Sequence, residues 1–167
     1  MQIVEIDTIP EAHDVSIDNP MAVLRICQEM EEFCEQQEGI GLSAVQVGIP
    51  QKLFVMKSGG CCPDLYGDNT YTYFVNCDYE ATDENCIVTL EGCLSVRSKD
   101  GQLRVFQVKR HKNIRLFGYR LDINKNVCFT PVDLMVDFEK QCVVLQHEID
   151  HQKCKLISDH GKEIFIW

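Results

Sequence analysis

The sequence H-E-I-D-H occupies residues 147–151. Its two histidines, His147 and His151, are four positions apart, so a helix would place both imidazoles on one face, where they can bind a single cation. Glu148 would then lie beside the open coordination position of that metal, where a carboxylate can act as a general base. The alternative is a chance pattern on a solvated helix face. We adopt the metal interpretation.

Apolar periodicity predicts two helices in the chain. One begins near Phe138, is capped by Asp137, carries the H-E-x-x-H pattern and continues to about Gln152. The other runs from Pro20 to Glu38, with Asn19 as its cap and proline at its first position, where this residue is well tolerated. The glycine that follows Glu38 is the predicted stop of this helix.

Short runs between the helices, the first of them continuously apolar and the later ones alternating, predict β-strands. They are Lys52–Lys57, Tyr71–Asn76, Cys86–Leu90, Leu103–Lys109, Asn113–Gly118 and Val132–Val136. The last run has an alternative, because Thr130-Pro131 could instead start a helix. Glycines and a proline predict a loop over Ser58–Asn69. The expected fold class is α+β, with small antiparallel β-sheets packed around a central metal-binding helix and an N-terminal helix, in one domain over residues 1–167.

Composition narrows the function classes. The 167 residues include 16 Lys+Arg and 26 Asp+Glu, which gives a formal net charge of −10. A chain this acidic is not expected to bind nucleic-acid phosphates directly or to bind an anionic membrane surface. No apolar run approaches the length of a transmembrane helix, and the first residues lack the pattern of a signal or transit peptide, so we expect a cytoplasmic protein.

The ten cysteines are expected to be mostly reduced thiols, because the sequence shows no secretory signal. None of them forms a C-x-x-C pair, which argues against zinc ribbons and thioredoxin-type redox pairs. Cys27 and Cys34 fall on the apolar face of the first predicted helix, where a free cysteine behaves as a small hydrophobic residue. Cys61-Cys62 lies in the predicted loop and is expected to be exposed.

A catalytic zinc-type site needs a third protein ligand. The metzincin continuation of H-E-x-x-H would require glycine and histidine where this chain has Cys154 and Ile157. A thermolysin-like glutamate would have to be Glu163, the only glutamate that follows the pattern. The third ligand is therefore expected upstream. The segment E-G-C-L-S offers Cys93, a soft thiolate ligand, preceded by Gly92, which we expect to form a turn around the metal.

A third segment, Gly39–Gln46, reads G-I-G-L-S-A-V-Q. It does not match the dinucleotide-binding pattern, since it neither follows a strand nor continues as G-x-G-x-x-G. Its small residues predict a turn at residues 39–41 and the close approach of another backbone. Gln46 could donate a hydrogen bond from its side-chain amide.

Taken in the order in which they occur along the chain, the three segments resemble the peptide deformylase family. That family carries G-x-G-x-A-A-x-Q, E-G-C-L-S and Q-H-E-x-D-H, and the resemblance extends over about residues 21–157. The chain departs from the family pattern at Ser43, Arg97, Gln152 and Cys154. The short tail resembles that of compact, virus-encoded members.

The resemblance implies hydrolysis of the formyl group from N-formylmethionyl peptides, with release of formate. It implies one divalent metal, Fe(II) in the cell, with Zn, Ni or Co in purified protein. The implied roles fall on three metal ligands, Cys93, His147 and His151, and on a general base, Glu148. The backbone N–H of Leu94 and the amide of Gln46 are the implied donors to the charge that develops on the formyl oxygen.

The same resemblance implies a substrate site and partners. The peptide is expected to lie extended beside Ile40 and Gly41, and Val143, one turn before His147, is a candidate wall of the methionine pocket. The partners are nascent N-formylmethionyl peptides, with a transient ribosome contact, in the cytosol of a bacterium, including one infected by a virus.

Two alternatives stay open at this stage. A metalloendopeptidase would share the H-E-x-x-H helix but would not explain the E-G-C-L-S segment. A structural metal site would need a fourth protein ligand, and Cys142 or Cys154 would have to supply it.

Overall fold

The computed structural model describes residues 1–5, 8–57, 71–123 and 126–164. Its elements, in chain order, are α1 (Pro20–Gln36), β1 (Gly41–Ser43), a 3₁₀ turn (Ala44–Val47), β2 (Leu53–Lys57), β3 (Tyr71–Ala81), β4 (Cys86–Arg97), β5 (Leu103–His111), β6 (Ile114–Asp122), β7 (Cys128–Val136), α2 (Glu139–Gln152), α3 (Ile157–His160) and β8 (Lys162–Ile164).

The strands form two sheets. One has five strands in the order β1-β2-β3-β6-β7, and the other has three in the order β4-β5-β8. Every pair of named neighbours is antiparallel. The predicted α+β class with small antiparallel sheets is therefore confirmed.

Alternation along β2 shows how the five-stranded sheet is covered on both faces. Leu53 and Val55 belong to the apolar core that includes the buried residues of α1. Phe54 and Met56 point the other way, into the core that includes the buried residues of α2. All four are buried because a helix packs on each face of the sheet.

The central position of α2 follows from what it contacts. It packs against β1, β2 and β3 of the five-stranded sheet and against β5 of the three-stranded sheet. A third apolar cluster joins β4 and β5 to the segment that follows α2, with Val96, Phe106 and Ile157 among its members. The helix that carries H-E-x-x-H thus lies between the two sheets, as the sequence predicted.

The first helix forms as predicted at its start. The Asn19 side chain accepts a hydrogen bond from the Ala22 N–H, and Pro20 occupies the first turn. Cys27 and Cys34 are fully buried on its apolar face. The helix ends at Gln36, earlier than the glycine stop that we predicted.

The predicted cap of the second helix is wrong. Its N-cap is Phe138 in an extended conformation, with no side-chain capping bond, and not Asp137. Strand β7 runs to Val136, so Asp137 still belongs to the connection and the chain turns into the helix one residue later.

Several strands are longer than predicted. Strand β3 continues past Asn76, which adopts a left-handed φ of 51°, and a register shift against β6 between Val75 and Asp78 absorbs the irregularity. Strand β7 includes Pro131, so the helical alternative at this point is wrong. It lies at the edge of its sheet, where a residue without an N–H is tolerated.

Some predictions lie outside the described residues, namely the loop at Ser58–Asn69 and the exposed pair Cys61-Cys62. Within the described part of the chain, the model contains no helix with the length and apolarity that a membrane span requires.

Candidate active site

Three potential metal ligands converge from two elements. Strand β4 supplies Cys93 and helix α2 supplies His147 and His151, with one ligand atom from each lying within 4.8 Å of the others. Cys93 Sγ is 3.3 Å from His151 Nε2. Cys93 and His151 are almost fully buried.

This geometry fits a tetrahedral metal centre. Metal–sulfur and metal–nitrogen bond lengths for zinc place ligand atoms about 3.3–3.6 Å apart, close to the observed sulfur–nitrogen distance. Cys142 Sγ instead contacts the Val136 carbonyl, and Cys154 is exposed. Neither belongs to the cluster, and the described residues form no other group of this kind, so a four-ligand structural site is not supported.

The predicted turn at Gly92 is wrong, because Gly92 lies within β4. The ladder between β4 and β5 is regular up to Gly92, which pairs with Val105, and then shifts register before Arg97 pairs with Leu103. A break in strand pairing, instead of a turn, therefore accompanies the placement of Cys93 at the site. The Arg97 Nε–H donates to the Leu94 carbonyl across 3.1 Å and holds this irregular part of the strand.

Glu148 is a buried carboxylate without a complete set of partners. Its side chain is 3% exposed, and Oε2 has no hydrogen-bond partner among the described residues. Burial raises the pKa of Glu148 to about 7. A carboxyl group with a pKa near neutrality can both take and return a proton at physiological pH.

Gln46 is fixed by the 3₁₀ turn. Its Oε1 accepts a 2.8 Å hydrogen bond from the Ser43 N–H. The amide nitrogen is thereby turned toward β4, where it lies 3.0 Å from Ser95 Oγ and 3.6 Å from Cys93 Sγ. The predicted donor therefore points at the ligand cluster.

The predicted substrate residues line the same cleft as the ligand cluster. The cleft has a volume of 510 Å³, and Ile40, Gly41 and Val143 all lie on its wall. It is also lined by five residues of the predicted chemistry, Gln46, Cys93, Leu94, His147 and Glu148. His151 lies just beneath this surface, at 1% exposure.

The 39–41 segment is only partly as predicted. A bend occurs at Ile40, and Gly41 already begins β1. A Cβ at Gly41 would meet the Glu148 side chain, whereas one at Gly39 would lie 2.9 Å from Cys34 Sγ and 3.3 Å from the Cys34 backbone carbonyl.

A buried ionic network beside the cleft was missed at the sequence level. Arg110 forms a two-pronged ion pair with Glu91, with both nitrogen–oxygen distances at 2.8 Å, and its third nitrogen lies 2.6 Å from Asp150. Arg110 is 3% exposed. Although burial raises the pKa of Glu91, its bonds with Arg110 and His147 hold that pKa well below the usual range.

The network reaches the site through His147. Its Nδ1 lies 2.9 Å from Glu91 Oε2, so the ring presents Nε2 to the ligand cluster. Burial lowers the pKa of His147, but its bonds with Cys93 and Glu91 raise it to about 10. Burial also takes the pKa of His151 well below its ordinary value. Carboxylates that orient a ligating histidine in this way are common around metal sites.

Two members of this ionic network could have been noticed in the sequence. Glu91 belongs to the E-G-C-L-S segment and Asp150 to H-E-I-D-H, so both carboxylates were visible beside the predicted ligands. Arg110 belongs to neither of these segments. It could not be recognised from the sequence, because only the pairing of β4 with β5 brings it to Glu91.

Taken together, an α+β scaffold that brings a strand cysteine and an H-E-x-x-H helix to one cleft defines a candidate metallohydrolase. The polypeptide deformylase family model matches residues 9–164. The chain belongs to this family of enzymes.

The sequences of known peptide deformylases are similar to this chain over most of its length. A peptide deformylase of Desulfotalea psychrophila is 33% identical over 139 residues, which is 83% of this chain and 72% of the relative. A peptide deformylase of Syntrophomonas wolfei is 32% identical over 145 residues, which is 86% of this chain and 80% of the relative.

Solved structures share the fold. A probable peptide deformylase from Synechococcus phage S-SSM7 has a TM-score of 0.75 at 24% identity, covering 96% of this chain and 99% of that one. The peptide deformylase of Thermotoga maritima has a TM-score of 0.70 at 26% identity, with 95% of each chain covered. A Synechococcus elongatus enzyme in complex with actinonin has a TM-score of 0.75 at 23% identity, covering 97% and 79%.

Proposed function

We propose that this protein hydrolyses the formyl group from N-formylmethionyl peptides and releases formate. The observation that carries the proposal is the convergence of Cys93, His147 and His151 at one cleft, with Glu148, whose Oε2 has no hydrogen-bond partner among the described residues, in its wall. Membership of the polypeptide deformylase family supports the choice of reaction.

Cys93, His147 and His151 would hold one divalent metal, since their spacing and chemistry suit a nitrogen- and sulfur-binding cation. When bound, that cation would polarise the formyl carbonyl and lower the pKa of a water molecule toward neutrality. We assign Fe(II) in the cell, and Zn, Ni or Co would fill the same ligand set in purified protein.

Glu148 moves the proton. Its carboxylate takes a proton from the attacking water and later delivers it to the leaving amine, as a general base and then a general acid. Its burial serves this role, because the raised pKa lets the group change protonation state near neutral pH.

Gln46 and Leu94 stabilise the charge that develops on the formyl oxygen. The Gln46 amide already points at the ligand cluster and is held there by Ser43 and Ser95. The Leu94 N–H follows Cys93 directly, in the stretch where the β4–β5 ladder is interrupted. Loss of one such donor typically costs about 3 kcal/mol of barrier.

The peptide would lie between two sheet edges. Strand β1 is the edge of one sheet and β4 is the edge of the other, and both line the cleft. We place the extended substrate beside Ile40 and Gly41, where edge-strand backbone groups can pair with it. Val143 would form one wall of the methionine pocket.

The proposed function also implies where the protein acts and what it contacts. We propose that residues 1–167 act as one catalytic domain on nascent chains in a bacterial cytosol, an infected host included, through a transient ribosome contact. The net charge of −10 argues against direct contact with nucleic acid or with an anionic membrane surface.

The direct test measures formate release from formyl-Met-Ala-Ser by protein purified without air. We expect activity in the native chain and its loss in Glu148→Ala and Cys93→Ser. Cys154→Ser is the matched control, since this exposed cysteine lies outside the ligand cluster and its loss should leave activity intact. Acetyl-Met-Ala-Ser should remain unhydrolysed, because the larger acyl group does not fit a formyl site.

The proposal fails if folded, metal-replete protein releases no formate. Cleavage of an internal peptide bond under the same conditions would instead support the metalloendopeptidase alternative.

A further inference from the structure

The outer face of the three-stranded sheet carries exposed apolar side chains beside the cleft. Side chains alternate along a strand, so Glu91 and Cys93 of β4 lie on the face toward the ligand cluster, and Val88 and Leu90 lie on the opposite face of the strand. Leu90 is 64% exposed, and Leu103 of β5 is 47% exposed. Both leucines line the cleft that contains the ligand cluster, and Val88 does not.

Gly92 leaves a gap between these two leucines. A Cβ built at Gly92 would meet Leu103 Cδ1 at 3.9 Å and the Arg104 carbonyl at 3.8 Å, which are ordinary contact distances. The outward side of residue 92 is therefore an open notch, with backbone as its floor and the Leu103 side chain as one wall.

An extended peptide beside β4 would place its side chains alternately on the two faces of the sheet. With the methionine side chain directed inward toward Val143, the second side chain points outward over Gly92. We propose that Leu90 and Leu103 form the subsite for the second residue of the substrate, and that this subsite selects an apolar side chain. The inference rests on the proposed function and adds to it a substrate preference.

The surroundings of the notch favour apolar groups over charged ones. The β5 partners of Leu90 and Gly92 are Gln107 and Val105, which carry no charge. Arg104 is engaged in an ion pair with Glu163 at 2.6 Å. A charged second residue would lose hydration against the leucines without gaining an ion pair.

The experiment compares kcat/KM for formyl-Met-X-Ser peptides in which X is Leu, Ala or Asp. We expect Leu to exceed Ala by about fivefold, the scale of a partly buried aliphatic contact, and Asp to be the poorest substrate. In the double variant Leu90→Ser, Leu103→Ser the Leu:Ala ratio should fall to near 1. The Val88→Ser control removes an exposed apolar residue from the same face and should keep the ratio of the native chain.

A charge introduced at one wall gives a positive test. Leu103→Lys should raise the Asp:Leu ratio by about tenfold, because the lysine would face the second side chain across the Gly92 notch. Thermal unfolding of each variant establishes that it is folded before its ratio is interpreted.

Each negative result has a distinct meaning. If no formyl peptide is hydrolysed by the native chain, the proposed function itself fails. Hydrolysis of formyl-Met-Ala-Ser with equal rates for Leu and Ala, or an unchanged ratio in the double variant, overturns the subsite alone. A further outcome would also overturn the subsite: the native chain self-associates in sedimentation, and the double variant does not but keeps the native Leu:Ala ratio. The leucines would then contact a second copy of the chain.

Discussion

The Glu148 carboxylate packs against the α-carbon of Gly41. A Cβ at residue 41 would lie 2.5 Å from Glu148 Oε1 and 3.0 Å from its carboxyl carbon, closer than real Cβ contacts. Strand β1 therefore forms the surface against which the side chain of the proposed base rests. The glycine at this position is explained by that contact and not by an unusual φ.

Gly41→Ala tests this relationship. The added methyl should displace the Glu148 carboxylate and lower kcat for formyl-Met-Ala-Ser by about a hundredfold, the scale of general acid–base catalysis. We expect the variant to stay folded and to retain its metal, since the three atoms nearest to the new methyl all belong to the Glu148 side chain and not to a candidate ligand. Formate release, metal content and thermal unfolding would be measured together, and an unchanged kcat would contradict the packing argument.

The buried network makes a prediction about stability. Arg110→Leu would leave Glu91 and Asp150 as buried carboxylates without their cation, and we expect a loss of about 3–5 kcal/mol in the free energy of unfolding. Arg115→Leu is the matched control, because Arg115 forms a similar two-pronged pair with Asp133 at the surface. Loss of that exposed pair should cost much less, because solvent screens both charges.

Urea unfolding of the three proteins would measure both changes. Equal losses in the two variants would show that burial of the Arg110 network contributes nothing beyond an ordinary surface ion pair.

Glu91→Gln tests whether Glu91 positions His147. The amide keeps the size of the side chain but removes the negative charge that faces His147 Nδ1. We expect metal affinity to fall by about 10- to 100-fold, as for other groups that orient a ligating histidine. Competition with a chelator measures this affinity independently of turnover.

Glu163→Gln serves as the control for that measurement, since Glu163 pairs with Arg104 and not with a candidate ligand. If both variants retain metal equally well, Glu91 has no orienting role.

The sequence predicted the elements whose signals are local. Asn19 and Pro20 marked the start of α1, and a short apolar run marked β2 to within a residue. The sequence-based predictions were wrong where the pairing of strands determines the backbone conformation. Gly92 was read as a turn because glycine permits one, but the pairing of β4 with β5 keeps it extended. Strand β3 passes through Asn76 because a register shift accommodates its left-handed φ.

The candidate site shows the same division. The residues that carry recognisable chemistry at short spacing, His147 and His151 above all, could be named from the sequence, as could Cys93 once the helix required a third ligand. Arg110 could not, because a lone arginine on an alternating strand gives no sign that it will be buried between two carboxylates. Only the register of β5 shows it.

Gln46→Leu tests the proposed stabilisation of the formyl oxygen. Leucine has about the size of glutamine but no N–H, so we expect kcat to fall by about 10²–10³ with little change in KM, as for other lost oxyanion donors. The substitution also leaves the Ser43 N–H without its acceptor, so thermal unfolding must be measured alongside. Ser95→Ala is the companion variant: it removes the hydroxyl that accepts from the Gln46 amide but leaves the amide in place. A smaller fall in kcat for Ser95→Ala than for Gln46→Leu is expected if the amide acts on the substrate, whereas a rise in KM alone for Gln46→Leu would mean that Gln46 binds the peptide without stabilising the transition state.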